Sequence, residues 1–309
     1  MYKAYTGTKK MNNQLTMKSA SWLFFVSYVT GIILSAWMSG QGNRHHEDLY
    51  LFMVYVAVGQ IGLNVLPAVL WCRYRKISLI TVFRLHRVSF KNVMLSLLIY
   101  ALCQIILLFF HQVTEFFSVW LGASYQTSHY PVADSLRSLF ILLISIGIIP
   151  PICEELLFRG VLITGYAWRG MWFAAAASSF LFAIFHDNPY RLIELFGAAF
   201  VSSLLVIKSG SIIPGIIVHL LTNSIYVLSS YLQGGDMLEG ISRPGGPGVG
   251  IVLLTLGASI ICFFICKWLY TRFDPPREKE KEQKMSSSVQ WIVPIVASVG
   301  VFILKLLYF

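Results

Sequence analysis

From Leu49 to Cys72 the chain reads LYLFMVYVAVGQIGLNVLPAVLWC, without one charged side chain. About 20 such residues in a helix cross the roughly 30 Å hydrocarbon core of a bilayer. Ser19 to Asn43, Pro244 to Cys266 and Met285 to Leu304 are uncharged runs of the same kind. None alternates polar with apolar residues as a barrel strand does. Across the 309 residues, 56% are hydrophobic and 12% charged, and the mean hydropathy is +0.68. These values exclude an ordinary soluble globule and predict an all-α, polytopic membrane bundle of about eight or nine transmembrane helices.

The spans are expected near 20–39, 49–71, 91–112, 136–168, 171–187, 191–207, 211–232, 248–268 and 289–309. Lys and Arg number 24 against 14 Asp and Glu, a formal +10. The excess gathers in short loops beside apolar spans, which is a topological signal rather than a nucleic-acid footprint. Arg73, Arg75, Lys76, Arg84, Arg87 and Lys91 form the strongest cluster, and Lys267 to Lys284 the second. Both are expected in the cytoplasm, as is the N-terminus, with loops 40–48, 113–135 and 233–247 outside. The apolar stretch after Lys9, Lys10 and Lys18 is too long for a signal-peptide core and reads as a retained span. The protein is thus expected to be integral and multi-pass, in the plasma membrane if bacterial. Cys72, Cys103, Cys153, Cys262 and Cys266 have no CxxC or zinc-type spacing and read as packing residues.

Gly234 to Gly250 and Asp274 to Ser288 read as linkers. They divide the chain into N-terminal helices at 1–135, a core at 136–232, and C-terminal helices at 233–309 with a charged cytoplasmic linker at 271–288. The last span reads as an appendage to the functional core.

Charge inside a span costs at least a few kcal/mol, which makes Pro150-Pro151-Ile152-Cys153-Glu154-Glu155-Leu156-Leu157-Phe158-Arg159 exceptional. The proline pair is expected to kink the helix. Glu155 and Arg159 stand at i and i+4, the spacing of an ion pair, while Glu154 is turned about 100° away. If the helix turns back near Arg169 and Gly170, Glu154 and His186 lie at similar height across the hairpin. His219 and Asn223, again at i and i+4, share one face of an otherwise uncharged span.

In chain order, EELLFR (Glu154 to Arg159), FAIFH (Phe182 to His186) and HLLTN (His219 to Asn223) match the motifs EExxxR, FxxxH and HxxxN. Over roughly residues 136 to 230 the sequence resembles the CPBP intramembrane proteases, which include type II CAAX prenyl endopeptidases and relatives linked to bacteriocin immunity and peptide processing. The resemblance implies Glu154 as general base on water, assisted by His186, with His219 and Asn223 as donors to the oxyanion. Glu155 and Arg159 would give structural support. Two histidines and a carboxylate are also a known zinc set, so a divalent metal on Glu154, His186 and His219 is a second possibility implied here.

The expected partners are a membrane-associated peptide or protein substrate and the lipid bilayer, with no nucleic acid. Competing readings are a noncatalytic membrane scaffold or sensor and a proton-coupled transporter using Glu154, His186 and His219 as a relay. Arg191 and Glu194 read as an interfacial ion pair. His111 and His129 show no recognisable partner, and His45 and His46 read as loop residues. The turn Gly165 to Gly170 is expected to project beyond the membrane, with the site opening to the cytoplasm.

Overall fold

The computed structural model describes residues 14–39, 48–120, 131–233, 246–276 and 289–308. His45, His46, His129 and most of both glycine-rich and charged linkers lie outside the described residues. Among the described residues eight helices are long and apolar enough to cross a membrane: α1 (Met17–Ser39), α2 (Leu49–Tyr74), α3 (Phe90–Trp120), α4 (Leu136–Arg169), α6 (Pro189–Ser209), α7 (Ile213–Leu232), α8 (Val249–Tyr270) and α9 (Val289–Leu306). A ninth, α5 (Met171–Phe185), is shorter. No strand occurs among the described residues. The polytopic helical bundle read from the sequence is the architecture found.

Local chemistry sets the helix ends. At α4, Ser135 and Ser138 form a reciprocal capping box, each hydroxyl accepting from the other's backbone N–H, which satisfies donors the first turn leaves orphaned. Gly170, with φ of 98°, takes a conformation that disfavours other residues and turns α4 into α5. Gly210, with φ of 69°, ends α6.

Alternating helix directions bring one set of termini together. Thr164 Oγ1 donates to Val82 O at 3.1 Å, Ser211 Oγ to His86 O at 2.6 Å and Ile212 N to Arg84 O at 3.0 Å. Lys91 Nζ and Ser89 Oγ both bond Asp274, at 2.7 and 2.9 Å, and hold its carboxyl below the usual carboxylate range, Lys91 first and Ser89 second. This end therefore gathers Arg73, Arg75, Lys76, Arg84, Arg87, Lys91, Lys208 and Arg272, whereas the opposite end carries Asp48, Asp134 and Arg137.

The largest cluster of buried apolar residues lies around the second half of α4. Phe24, Tyr28, Phe158 and Phe182 are buried there, with Phe158 and Phe182 edge to face at 5.0 Å between centroids. Ala174, Ala175, Ser178 and Ser179 on α5 are buried. Small residues let helix backbones approach closely where no water drives association. Ser178 Oγ donates to Phe158 O at 2.6 Å, tying α5 to α4 just below the acidic pair. All five cysteines are free and buried.

Candidate active site

The two prolines do not interrupt α4. Instead, the helix widens to i→i+5 hydrogen bonding over Leu143–Ile148, before them, and again over Leu156–Leu162. Pro150 has no N–H for the carbonyl four residues back, which belongs to Ile146. Asn223 Nδ2 on α7 donates to that oxygen at 3.1 Å. The proline and the HxxxN asparagine are thus physically linked.

Beyond the prolines, Glu154, Glu155 and Arg159 are 5%, 0% and 2% exposed. Arg159 Nη1 stands 2.9 Å from Glu155 Oε1, and its guanidinium lies over Phe182, 4.7 Å from the ring centroid. Glu155 also accepts from His219 Nδ1 at 3.1 Å and from Ser202 Oγ at 3.3 Å. A carboxylate offers only lone pairs, so His219 Nδ1 carries a proton and Nε2 is directed into the site. There Nε2 is 3.9 Å from Glu154 Oε2. The close approach of α7 depends on Gly215: a Cβ there would lie 2.5 Å from Glu155 Oε2 and 2.9 Å from Val206 Cγ2.

His186 reaches the same cavity from the end of α5. Its Nδ1 is 2.9 Å from Phe182 O, which by the same rule puts a proton on Nδ1 and, in the neutral ring, a lone pair on Nε2. The next residue, Asp187, has φ of 52°. Its carboxylate accepts from Tyr28 Oη on α1 and from Lys305 Nζ on α9, both at 2.7 Å. The last helix is consequently not an appendage: it is bonded to the residue beside His186.

A cavity of about 660 Å³ joins these groups. Its lining reaches no closer to the basic end than Tyr100, Arg159, Ser202 and Val218, and extends the other way to Ser35, Phe52, Asp187 and Tyr226. The lining thus lies away from the basic end, toward which the opening was expected, and side chains such as Phe158, Val161 and Leu205, each at most 1% exposed, are packed on that side. The projecting α4–α5 turn does fit. Thr164 sits at the level of the Val82 loop, so Glu154 is only 10 residues, or about 15 Å of helix, above that loop.

Charge within the cavity is mostly compensated. Arg159 pairs with Glu155, Lys305 with Asp187, and Arg191 with Glu194 at 3.1 Å. His111, expected to lack a partner, lies 3.4 Å from Glu194, one helix away and hence invisible to sequence spacing. Among the described residues Glu154 is left with no Lys or Arg ion pair. Glu154, His186 and His219 do not form a metal-binding group of three, and none exists among the described His, Cys, Asp and Glu side chains.

Two site residues escaped the sequence reading. Gln60 Nε2 on α2 donates to Glu154 Oε1 at 2.8 Å, and Asn64 Nδ2 donates to Gln60 Oε1 at 2.8 Å. Their signal was available, as two amides at i and i+4 in the otherwise apolar run 49–72.

Residues 136–225 match the family described as Type II CAAX prenyl endopeptidase Rce1-like. The segment is Rce1-like. This bears out the resemblance drawn from the three motifs. The Rce1-like segment contains Glu154, Glu155, Arg159, His186, His219 and Asn223, and excludes Tyr28, Gln60, Asn64 and Lys305. Over 93 residues the chain is 32% identical to an Escherichia coli protein named "Uncharacterized 24.3 kDa protein". That stretch covers 28% of this chain and 42% of the relative, so the chain spans less than half of it. No solved structure matches the chain.

Proposed function

We propose that the protein is an intramembrane peptidase of the CAAX type, hydrolysing a peptide bond of a membrane-associated protein or peptide. The observation that carries this is the state of Glu154: buried, without a Lys or Arg partner among the described residues, oriented by Gln60 and 3.9 Å from His219 Nε2. That separation is too long for a direct hydrogen bond, yet a water seated against both groups contacts base and imidazole together. Glu154 takes a proton from this water as it attacks the scissile carbonyl. His219, held through Nδ1 by Glu155, donates from Nε2 to the charge that develops on the carbonyl oxygen when both ring nitrogens carry protons. Asn223 keeps a second N–H for the same oxygen beyond the one given to Ile146. As the C–N bond breaks, the proton that Glu154 took from water passes by way of the His186 Nε2 lone pair to the leaving amine.

On the excess of Lys and Arg at one end we place that end in the cytoplasm. Substrate and water then enter from the opposite half of the membrane, where the cavity lies. Lipid cannot supply the nucleophile or satisfy these polar groups. The domain division, with chemistry in 136–232 and support from both flanks, follows from the same reading.

The test is mass spectrometry of peptide termini in membranes from cells carrying wild-type protein or Glu154→Gln. New termini present with the former and absent with the latter are expected. Identical termini with normally inserted variant protein would remove Glu154 from the mechanism.

A further inference from the structure

The amide pair on α2 determines how the reactive carboxylate is presented. An ionised carboxylate only accepts hydrogen bonds, so Gln60 must turn its nitrogen, not its oxygen, toward Glu154. Nε2 lies 2.8 Å from Oε1. This orientation leaves Gln60 Oε1 facing back along α2, where Asn64 Nδ2 donates to it at 2.8 Å. Asn64 is 3% exposed and cannot swing into solvent. The chain therefore has one polarity, from Asn64 to Gln60 to Glu154.

Both amides belong to Val58–Val65, where α2 adopts i→i+5 hydrogen bonding, a widening frequent at functional sites. With Oε1 committed to Gln60, Oε2 is the oxygen on the His219 side. Cys153, Glu155 and Arg159 on α4, His186 on α5 and His219 on α7 are the other titratable or charged groups around Glu154.

We propose that Gln60 and Asn64 are positioning residues for Glu154: the amide chain holds Oε1 and reserves Oε2 for the proton of the nucleophile. Its catalytic consequence rests on the peptidase reading, but its test needs no substrate. Full-length protein in phosphatidylcholine vesicles is treated at neutral pH with dicyclohexylcarbodiimide, which adds to protonated carboxyls in apolar surroundings, and the adduct on Glu154 is quantified by mass spectrometry. Gln60→Leu removes the donor that occupies Oε1 and leaves that oxygen open to the reagent, and is expected to raise labelling about tenfold. Asn64→Asp, nearly isosteric, is expected to do likewise, because the new carboxylate draws Gln60 Nε2 to itself and turns Oε1 onto Glu154. Asn64→Leu leaves the donor to Glu154 in place and is expected to change labelling less than either.

Wild-type labelling in both Gln60→Leu and Asn64→Asp would overturn the proposal, and so would a larger rise in Asn64→Leu. Yields of Glu154-dependent termini in cells are expected to fall in the same order. Labelling that follows the expected order, in a protein for which no Glu154-dependent termini are found, supports the positioning role and overturns the peptidase reading instead.

Discussion

Glu154, Glu155, Arg159, His186, His219 and Asn223 all come from the Rce1-like segment 136–225, whereas Tyr28 and Lys305, which bond Asp187, Gln60, which bonds Glu154, and Asn64, which bonds Gln60, come from α1, α9 and α2. The segment brings titratable groups. The flanking helices bring donors whose role is legible only once the helices are packed. A matched segment of this kind therefore marks where chemistry is concentrated without marking everything that makes it work.

The contrast can be broken experimentally, beginning where the segment supports itself. Arg159→Met strips Glu155 of its buried cation, and loss of one partner of such a pair costs about 3–5 kcal/mol. A large drop in thermal stability in detergent is expected along with lost activity. A stable but inactive protein would move Arg159 from support to chemistry.

Gly215→Ala sharpens the same side of the comparison. The added methyl would meet Glu155 Oε2, Val206 and Ser202, and overpacking of this sort costs about 1–3 kcal/mol. Reduced stability is expected, relieved in part by Ser202→Ala, as a thermal-shift assay of the double variant would reveal. Lys305→Met probes the flank. The pair with Asp187 is partly exposed, at 30% and 25% of the side chains, so the stability change is expected at no more than about 1 kcal/mol. Activity should fall by a larger factor than that change implies, because His186 adjoins Asp187. Unaltered turnover would make the α9 contact purely architectural.

The sequence exposed most of the fold because uncharged runs of bilayer length have few alternatives, and it exposed the acidic pair because charge in such runs is rare. Glu155 and Arg159 followed from helical spacing within one element. What stayed hidden needed contacts between elements: the bond of Asn223 to the carbonyl freed by Pro150, the pairing of His111 with Glu194, and the reach of Lys305 to Asp187. Gln60 and Asn64 were hidden for a different reason. Uncharged amides among apolar residues raise no electrostatic alarm, and their value lies in the charged group they meet. The direction of the cavity was not legible either, because it depends on which helices pack beside Glu154; the projection of the α4–α5 turn past the Val82 loop at Thr164 does not decide it.

The central claim is that a water activated by Glu154 cuts a peptide bond. Once a Glu154-dependent terminus has been identified, a peptide spanning that bond is incubated with the reconstituted protein in water enriched in oxygen-18. The account predicts one heavy oxygen in the new carboxyl terminus with wild-type protein and a loss of cleavage by about 10² to 10⁴-fold with Glu154→Gln. Cleavage of the same bond by Glu154→Gln at the wild-type rate, or a product without the label, would contradict it.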